Sequence, residues 1–403
     1  MDNFIEEFLK VTRFIESPTS YLEWAAYTAI SAVMRDNAYI RFGAFRRTYP
    51  NIYVLFIGDS AATRKSSPLK AINKIVKLVN NTKVIEGRAS IQAVLGELAA
   101  VKNRTVGGVN KTLSGASALL YSEELASFLV KDTQISGILD DLYEYQEEHP
   151  VILRSQEIII LKDVCVSFIA ATNTIFLQDM FSKVDLYGGL VGRFIILVES
   201  KARHKDLGFD DPTTDLDLEP LVRHLVELSR KRGIIKLTED AVTYFNDWYQ
   251  NTDFSRNESK TGFEHRAHSH VLKLAIILAA AEPKFDLLLE RRHIVESITK
   301  TTALWSNYKR LTTSISTGST PITQCVTEVM VALVKSNRPI DREMLLSTLL
   351  GRVDAEMFDK AVTTLEQSGL LNIGGSACKV TYEISGKGRK MFLSELETKG
   401  KVN

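Results

Sequence analysis

Residues 58–67 read GDSAATRKSS and directly follow the apolar run Asn51–Ile57, NIYVLFI. A site for a polyphosphate needs a strand that ends abruptly, a loop whose amides converge, and a helix whose positive N-terminus faces the anion. It also needs a lysine for the terminal phosphates and a hydroxyl for magnesium. Lys65 and Ser66 are of those types, and Gly58, Asp59, Ser60, Ala61, Ala62, Thr63, Arg64 and Ser67 would form the rest of the cradle. The spacing from Gly58 to Lys65 is one residue longer than in GxxxxGK[ST], and Arg64 stands where a glycine is usual. The alternative reading is a basic loop capping an ordinary helix.

Three further positions fit the same chemistry. ALLYSEE (118–124) is an apolar strand ending in two carboxylates, of which Glu123 would hold the metal and Glu124 would take a proton from water. The pair follows the loop by about 60 residues. VSFIAATN ends a second buried strand at Asn173, which beside the other two strands would orient the water or contact the terminal phosphate; the plainer reading is a turn-forming asparagine. In GGLVGRF (188–194), Arg193 enters another strand and would stabilise transition-state charge from a neighbouring subunit, or else form a surface ion pair.

These residues require strands alternating with helices. Tyr39–Phe42, Asn51–Ile57, Lys83–Glu86, Ala118–Tyr121, Ile158–Leu161, Val164–Ala171 and Phe194–Val198 read as strands. Pro68–Leu78, Ser90–Ala100 and Ile135–Tyr145 read as helices, and the Gly/Thr/Asn-rich stretch 102–117 as loop. The pattern predicts a parallel α/β sheet. Two helices precede it, separated by Ser17-Pro18-Thr19-Ser20, which offers a cap. After a polar linker, residues 217–312 read as almost entirely helical, and a Ser/Thr/Gly-rich stretch near 312–321 marks another boundary. The expected divisions are 1–48, an N-terminal helical region; 49–205, the core; 206–312, a helical lid; and 313–403.

That last segment reads as three helices followed by a hairpin with Gly374-Gly375 at its turn, the pattern of a winged helix-turn-helix. Its proposed recognition helix carries Asp354, Glu356, Asp359 and Glu366, so major-groove binding and protein docking both stay open. Lys387, Arg389 and Lys390 would reach a nucleic-acid backbone, as would Arg154 and Lys162 on a hairpin within HPVILRSQEIIILKD; the alternative is an ordinary sheet hairpin.

Composition bounds the partners. A net charge of +1 provides no global basic field, so nucleic acid would have to meet local patches. With 45% apolar and 25% charged residues, disorder over most of the length is excluded. The three cysteines lack ligand spacing, and His265 and His268 have no completing partner, which disfavours zinc and disulfide frameworks. No apolar run reaches the ~20 residues a membrane span needs, and MDNFIEEFLK is not a signal peptide; the expected location is cytoplasmic.

The motifs SPTSYLEWAAYTAIS, YPNIYVLFIGDSAATRKSS, SEELASFL, AATN and GGLVGRF resemble those of P-loop ATPases of phages and mobile elements associated with replicative helicases, over roughly half the chain. The Arg-Lys pair is typical of that group. More distantly, the motif order resembles AAA+ helicases of the minichromosome-maintenance kind. The resemblance implies an α/β P-loop NTPase (AAA+-like) core with a helical lid, ATP and Mg²⁺ bound at subunit interfaces, and a ring oligomer, commonly a hexamer. It also implies single-stranded or forked DNA as track and a primase or replication initiator as partner, with Arg266 or Lys273 as a second sensor by analogy with AAA+ lids. The leading expectation is an ATP-driven DNA helicase. An ATP-gated loader and a non-catalytic DNA-binding scaffold are the alternatives.

Overall fold

The computed structural model describes residues 3–44, 46–59, 62–79, 82–86, 91–106, 109–113, 115–125, 135–152, 158–173, 189–204, 217–254, 261–308, 321–336, 338–349, 355–376 and 379–390. Two compact units divide the chain, Met1–Thr312 and Thr313–Asn403.

The first unit opens with α1 (Phe4–Val11) and α2 (Thr19–Met34), then β1 (Ala38–Phe42) and β2 (Arg46–Thr48). The central run is β3 (Tyr53–Ile57), α3 (Ser66–Lys77), β4 (Lys83–Glu86), α4 (Ile91–Ala99), β5 (Lys102–Val106), β6 (Val109–Leu113), β7 (Ser117–Ser122), α5 (Ile135–Tyr143), β8 (Gln146–Ile152), β9 (Ile158–Thr172) and β10 (Phe194–Val198). It closes with α6 (Glu219–Leu228), β11 (Gly233–Leu237), α7 (Glu239–Asn251), α8 (Phe263–Ala280), β12 (Leu288–Leu289) and α9 (Arg291–Ala303).

The fold is α/β with a mostly parallel central sheet. Its strands lie in the order β10-β3-β9-β7-β4, all parallel, with β8 antiparallel on β9. Every residue of β3 and β7 is buried, as is β9 from Val164 on, because helices cover both faces of a parallel sheet. The register aligns the carboxyl ends: Ile57 faces Thr172 and Val198, and Ser122 faces Ala170. Loops leaving β3, β7 and β9 therefore emerge side by side at one edge.

Strand β10 is the outer strand, and its exposed side is not left open. Tyr308 bonds to the backbone of Ile196 and Phe194, and Asn307 Nδ2 donates to Ile196 O at 3.0 Å. Side chains thereby take the ladder bonds that another strand would otherwise claim.

Several expectations are corrected. The stretch 102–117 contains the antiparallel pair β5–β6, Lys102–Val106 on Val109–Leu113, in which β-branched Thr105, Val106, Val109 and Thr112 favour strand over loop. The strands expected at 158–161 and 164–171 are one strand. Asp163 takes φ +51°, yet the strand continues in one register with β8, with Gln146 opposite Val164 and Glu148 opposite Lys162. The region from 217 is not purely helical: β11 and β12 join β1 and β2 in a second sheet, order β12-β11-β1-β2. That sheet crosses the expected divisions at 48 and 205, since Ala38–Ile40 pairs with Gly233–Ile235.

The second unit holds α10 (Pro321–Ser336), β13 (Ile340–Asp341), α11 (Arg342–Thr348), α12 (Ala355–Gln367), β14 (Leu371–Ser376) and β15 (Lys379–Ile384). The strands form an antiparallel sheet, order β13-β15-β14. Val329, Leu333, Leu345, Phe358, Leu365 and Leu371 belong to its core. No helix among the described residues is long and apolar enough to cross a membrane.

Candidate active site at the carboxyl edge of the sheet

Gly58 turns the chain out of β3 where no side chain fits. A Cβ there would lie 2.6 Å from Thr63 Oγ1 and 2.8 Å from the Glu199 carbonyl oxygen. Ser60 and Ala61 lie outside the described residues; Asp59 and Ala62–Ser67 are described. Arg64 adopts φ +52°, the left-handed conformation that the usual glycine would supply. It is held there from both sides: its Nε bonds Glu16 Oε2 at 2.7 Å, and its carbonyl accepts from Ser17 Oγ at 2.7 Å. The arginine beside the lysine is thus a brace for the loop, tied to the segment before α2.

Neighbouring residues extend this brace. Tyr21 donates its hydroxyl to Ile57 O at 2.6 Å, and Ser20 donates to Glu199 Oε1 at 2.6 Å. The hydroxyls of Ser17-Pro18-Thr19-Ser20 were expected to cap a helix, yet α2 has no side-chain cap. Ser17 and Ser20 serve the loop instead. Glu16, Ser17, Ser20, Tyr21 and Glu199 are the site residues that sequence reasoning missed; the only signal was that SPTS and the loop recur together in the resemblance.

Ser66 and Ser67 open α3, and Lys65 precedes them. The Lys65 ammonium bonds the loop carbonyls of Gly58 at 2.5 Å and Asp59 at 3.3 Å. Burial lowers its pKa, opposed by the charges of Glu124 and Asp59. Burial raises the Glu124 carboxyl, opposed by Lys65. The two charges act on each other although they stand on different strands' loops. Glu123 accepts from Tyr121 at 3.0 Å and pairs with Lys70 of α3 at 3.3 Å. Asn173 follows Thr172, whose carbonyl accepts from Gly58 N at 3.4 Å. Since β9 lies between β3 and β7, Asn173 emerges between the loop and the carboxylate pair.

Compared with models of protein families and with curated proteins, the chain matches none. What it can do is therefore argued from the site itself.

Arg193 is at the other end of the sheet. Phe194 faces Tyr53 at the start of β3, so the arginine lies a strand's length, about 17 Å, from the loop of the same chain. Its Nη1 pairs with Asp140 Oδ1 at 3.1 Å, and its guanidinium lies 5.9 Å from the centre of the Tyr143 ring. Arg266 lies close by: a Cβ on Gly189 would meet Arg193 Nη1 at 3.0 Å and Arg266 Nη2 at 3.2 Å. Gly192 leaves room for the backbone entering α8, since a Cβ would sit 2.6 Å from Thr261 O.

The expected second sensors are corrected on the same ground. Arg266 borders Arg193, and Lys273 is buried, bonding Asn51 Oδ1 at 3.0 Å and lying 3.8 Å from the Tyr143 ring centre. Burial brings its pKa down to about 8. Both stand at the amino edge of the sheet, away from the loop of their own chain. Among the described residues no His/Cys/Asp/Glu group could hold a metal by itself.

Of the residues expected on nucleic acid, Arg154 lies outside the described residues. Lys162 is exposed on the β8–β9 hairpin and pairs with Glu148 at 3.7 Å. Lys387 and Lys390 are exposed, and Lys387 Nζ donates to Ser368 O at 3.1 Å, while Arg389 is half-buried.

Proposed function

We propose that the chain hydrolyses ATP at the carboxyl edge of its central sheet and uses the reaction to drive movement on DNA, as an oligomeric helicase of a phage or mobile element. The observation that carries the ATPase reading is convergence. The loop holding Lys65, the pair Glu123–Glu124 and Asn173 leave three adjacent parallel strands at one edge, where open α/β sheets bind ligands.

The donor set fits the reactants. Lys65 would neutralise the phosphates, with the N-terminus of α3 and the loop amides beside it. Ser66 and Glu123 would hold Mg²⁺, which supplies charge neutralisation on the phosphate oxygens. Glu124 would accept the proton of the attacking water, and Asn173 would orient that water. The raised carboxyl pKa suits a base. The missing glycine would favour a non-catalytic scaffold if the loop could not adopt its conformation, and the positive φ of Arg64 supports the catalytic reading. Arg193 would act in a neighbour's site, because the amino edge of one copy can meet the carboxyl edge of the next. The second unit, in which α10, α11 and α12 accompany a small antiparallel sheet, fits a winged helix; Asp359 on its α12 is engaged by Arg342 at 2.8 Å, so that helix is less acidic toward a partner than its sequence suggests.

Steady-state ATP hydrolysis tests the reading. Lys65→Ala should abolish nucleotide binding and turnover. Glu124→Gln should cut turnover roughly 100-fold or more while nucleotide binding persists. Turnover by Lys65→Ala equal to the parent would end the ATPase reading. Strand displacement on a forked duplex then separates a motor from a loader.

A further inference from the structure

A cavity of about 980 Å³ opens in the first unit between the β1–β2 hairpin, the start of β8 and the helices α7 and α8. It lies toward the amino edge of the central sheet, away from the ATP site proposed above, and nothing so far assigns it a role. Its walls are unusual in two ways. Phe42 and Tyr249, 37% and 44% exposed, are the aromatic side chains among the described residues left open to this degree, and both line it. Arg46, Arg47 and Arg266 line it too. Tyr249 packs on Phe245, Phe254 and His268 and still leaves ring surface open to the cavity, a face on which a flat apolar group can stack.

We infer that this cavity binds a segment of a single nucleic-acid strand, its bases stacked on Tyr249 and Phe42 and its phosphates on the arginines. Bases offer flat π-faces that stack on aromatic rings whatever their sequence, and a guanidinium fork matches a phosphate. The volume exceeds what one nucleotide needs, as a continuous strand requires. Two carboxylates also line the wall. Glu147 is already paired with Arg47 at 3.2 Å, and Glu144 faces Arg266, whose pKa burial and the neighbouring Arg193 lower. Arg46, exposed on the hairpin, is the cation best placed to meet a strand entering from solvent. The inference deepens the DNA part of the proposed function but does not depend on the phosphate loop.

Fluorescence anisotropy of a labelled dT20 oligonucleotide on the full chain tests it, without nucleotide present. Arg46→Glu should weaken binding about tenfold or more, and Arg46→Ala should lower the salt slope of log K by about 0.7. Tyr249→Ala should cost roughly fivefold or more. Lys284→Glu, an 84% exposed lysine beyond the far end of α8, should change binding less than twofold. Both target side chains are exposed, and matching thermal melts establish that the variants are folded. Equal binding by parent, Arg46→Glu and Tyr249→Ala overturns the inference, as does a parent that binds dTMP at this cavity but not dT20. Lys65→Ala separates the two readings: normal dT20 binding by this variant together with loss in the cavity variants supports the cavity whatever the ATPase assay returns. Intact ATP turnover with no dT20 binding overturns the cavity alone.

Discussion

Gly58 and His270 set limits that chemistry alone would not reveal. The glycine sits under Thr63 and the Glu199 carbonyl, so Gly58→Ala must displace the first residue of the loop after β3. Overpacking of this kind costs about 1–3 kcal/mol; urea unfolding should register that loss, and ATP turnover should fall with it. His270 is buried, 2.9 Å from Gly192 O and stacked on Phe263, and burial holds its pKa down to about 3. The unfolded chain takes up this proton near the ordinary value of 6.5, which the folded chain resists until far lower pH. The stability from neutral His270 is therefore full above that value and drains away as pH falls toward the folded pKa. His224 and His268, both lowered by burial, act with the same sign. Urea midpoints at pH 7 and pH 5 should show the drop, and His270→Gln should flatten it; an unchanged slope would rule out His270 as its source.

At the scale of elements, the outer strand β10 depends on Tyr308 and Asn307 rather than on a neighbouring strand. Tyr308→Phe keeps the packing against Phe263, 4.0 Å between ring centres, but leaves the Ile196 amide and the Phe194 carbonyl without their hydroxyl. A buried group so stranded costs about 1–3 kcal/mol. The expected result is a matching loss in unfolding free energy and, because an uncovered edge recruits strands, a concentration-dependent rise in light scattering on warming. The α2 segment is the counterpart at the other end of β3. Its serines and Tyr21 brace the loop, so a chain shortened to start at β3 would lose the geometry of Arg64.

At the scale of the whole molecule, two units each with its own core predict two separable folding events. Residues 313–403 produced alone should unfold cooperatively in urea, since Phe358, Leu345, Leu365 and Tyr382 close a core within that unit. A fragment without a cooperative transition would show that the second unit requires the first. The equivalent cut at 205 should fail, because β1 would lose β11 as its parallel partner.

The local elements were legible in the sequence because their signals are local. NIYVLFI followed by GDSAATRKSS specifies a buried strand, a tight exit and a helix start, and the apolar runs before Glu123 and Asn173 specify two more strands. The carboxyl-edge site follows from those three strands once they are parallel. What tertiary structure alone decided is everything that joins distant positions. Strand order put β9 between β3 and β7. Register sent Arg193, and the packing of α8 sent Arg266 and Lys273, to the opposite edge from Lys65. Pairing of β1 with β11 fused segments nearly 200 positions apart, and Ser17 exchanged a helix cap for the Arg64 carbonyl. Hydrogen bonds and ion pairs of that kind depend on which surfaces meet after the chain has packed. No periodicity or spacing within a window of the sequence carries that information.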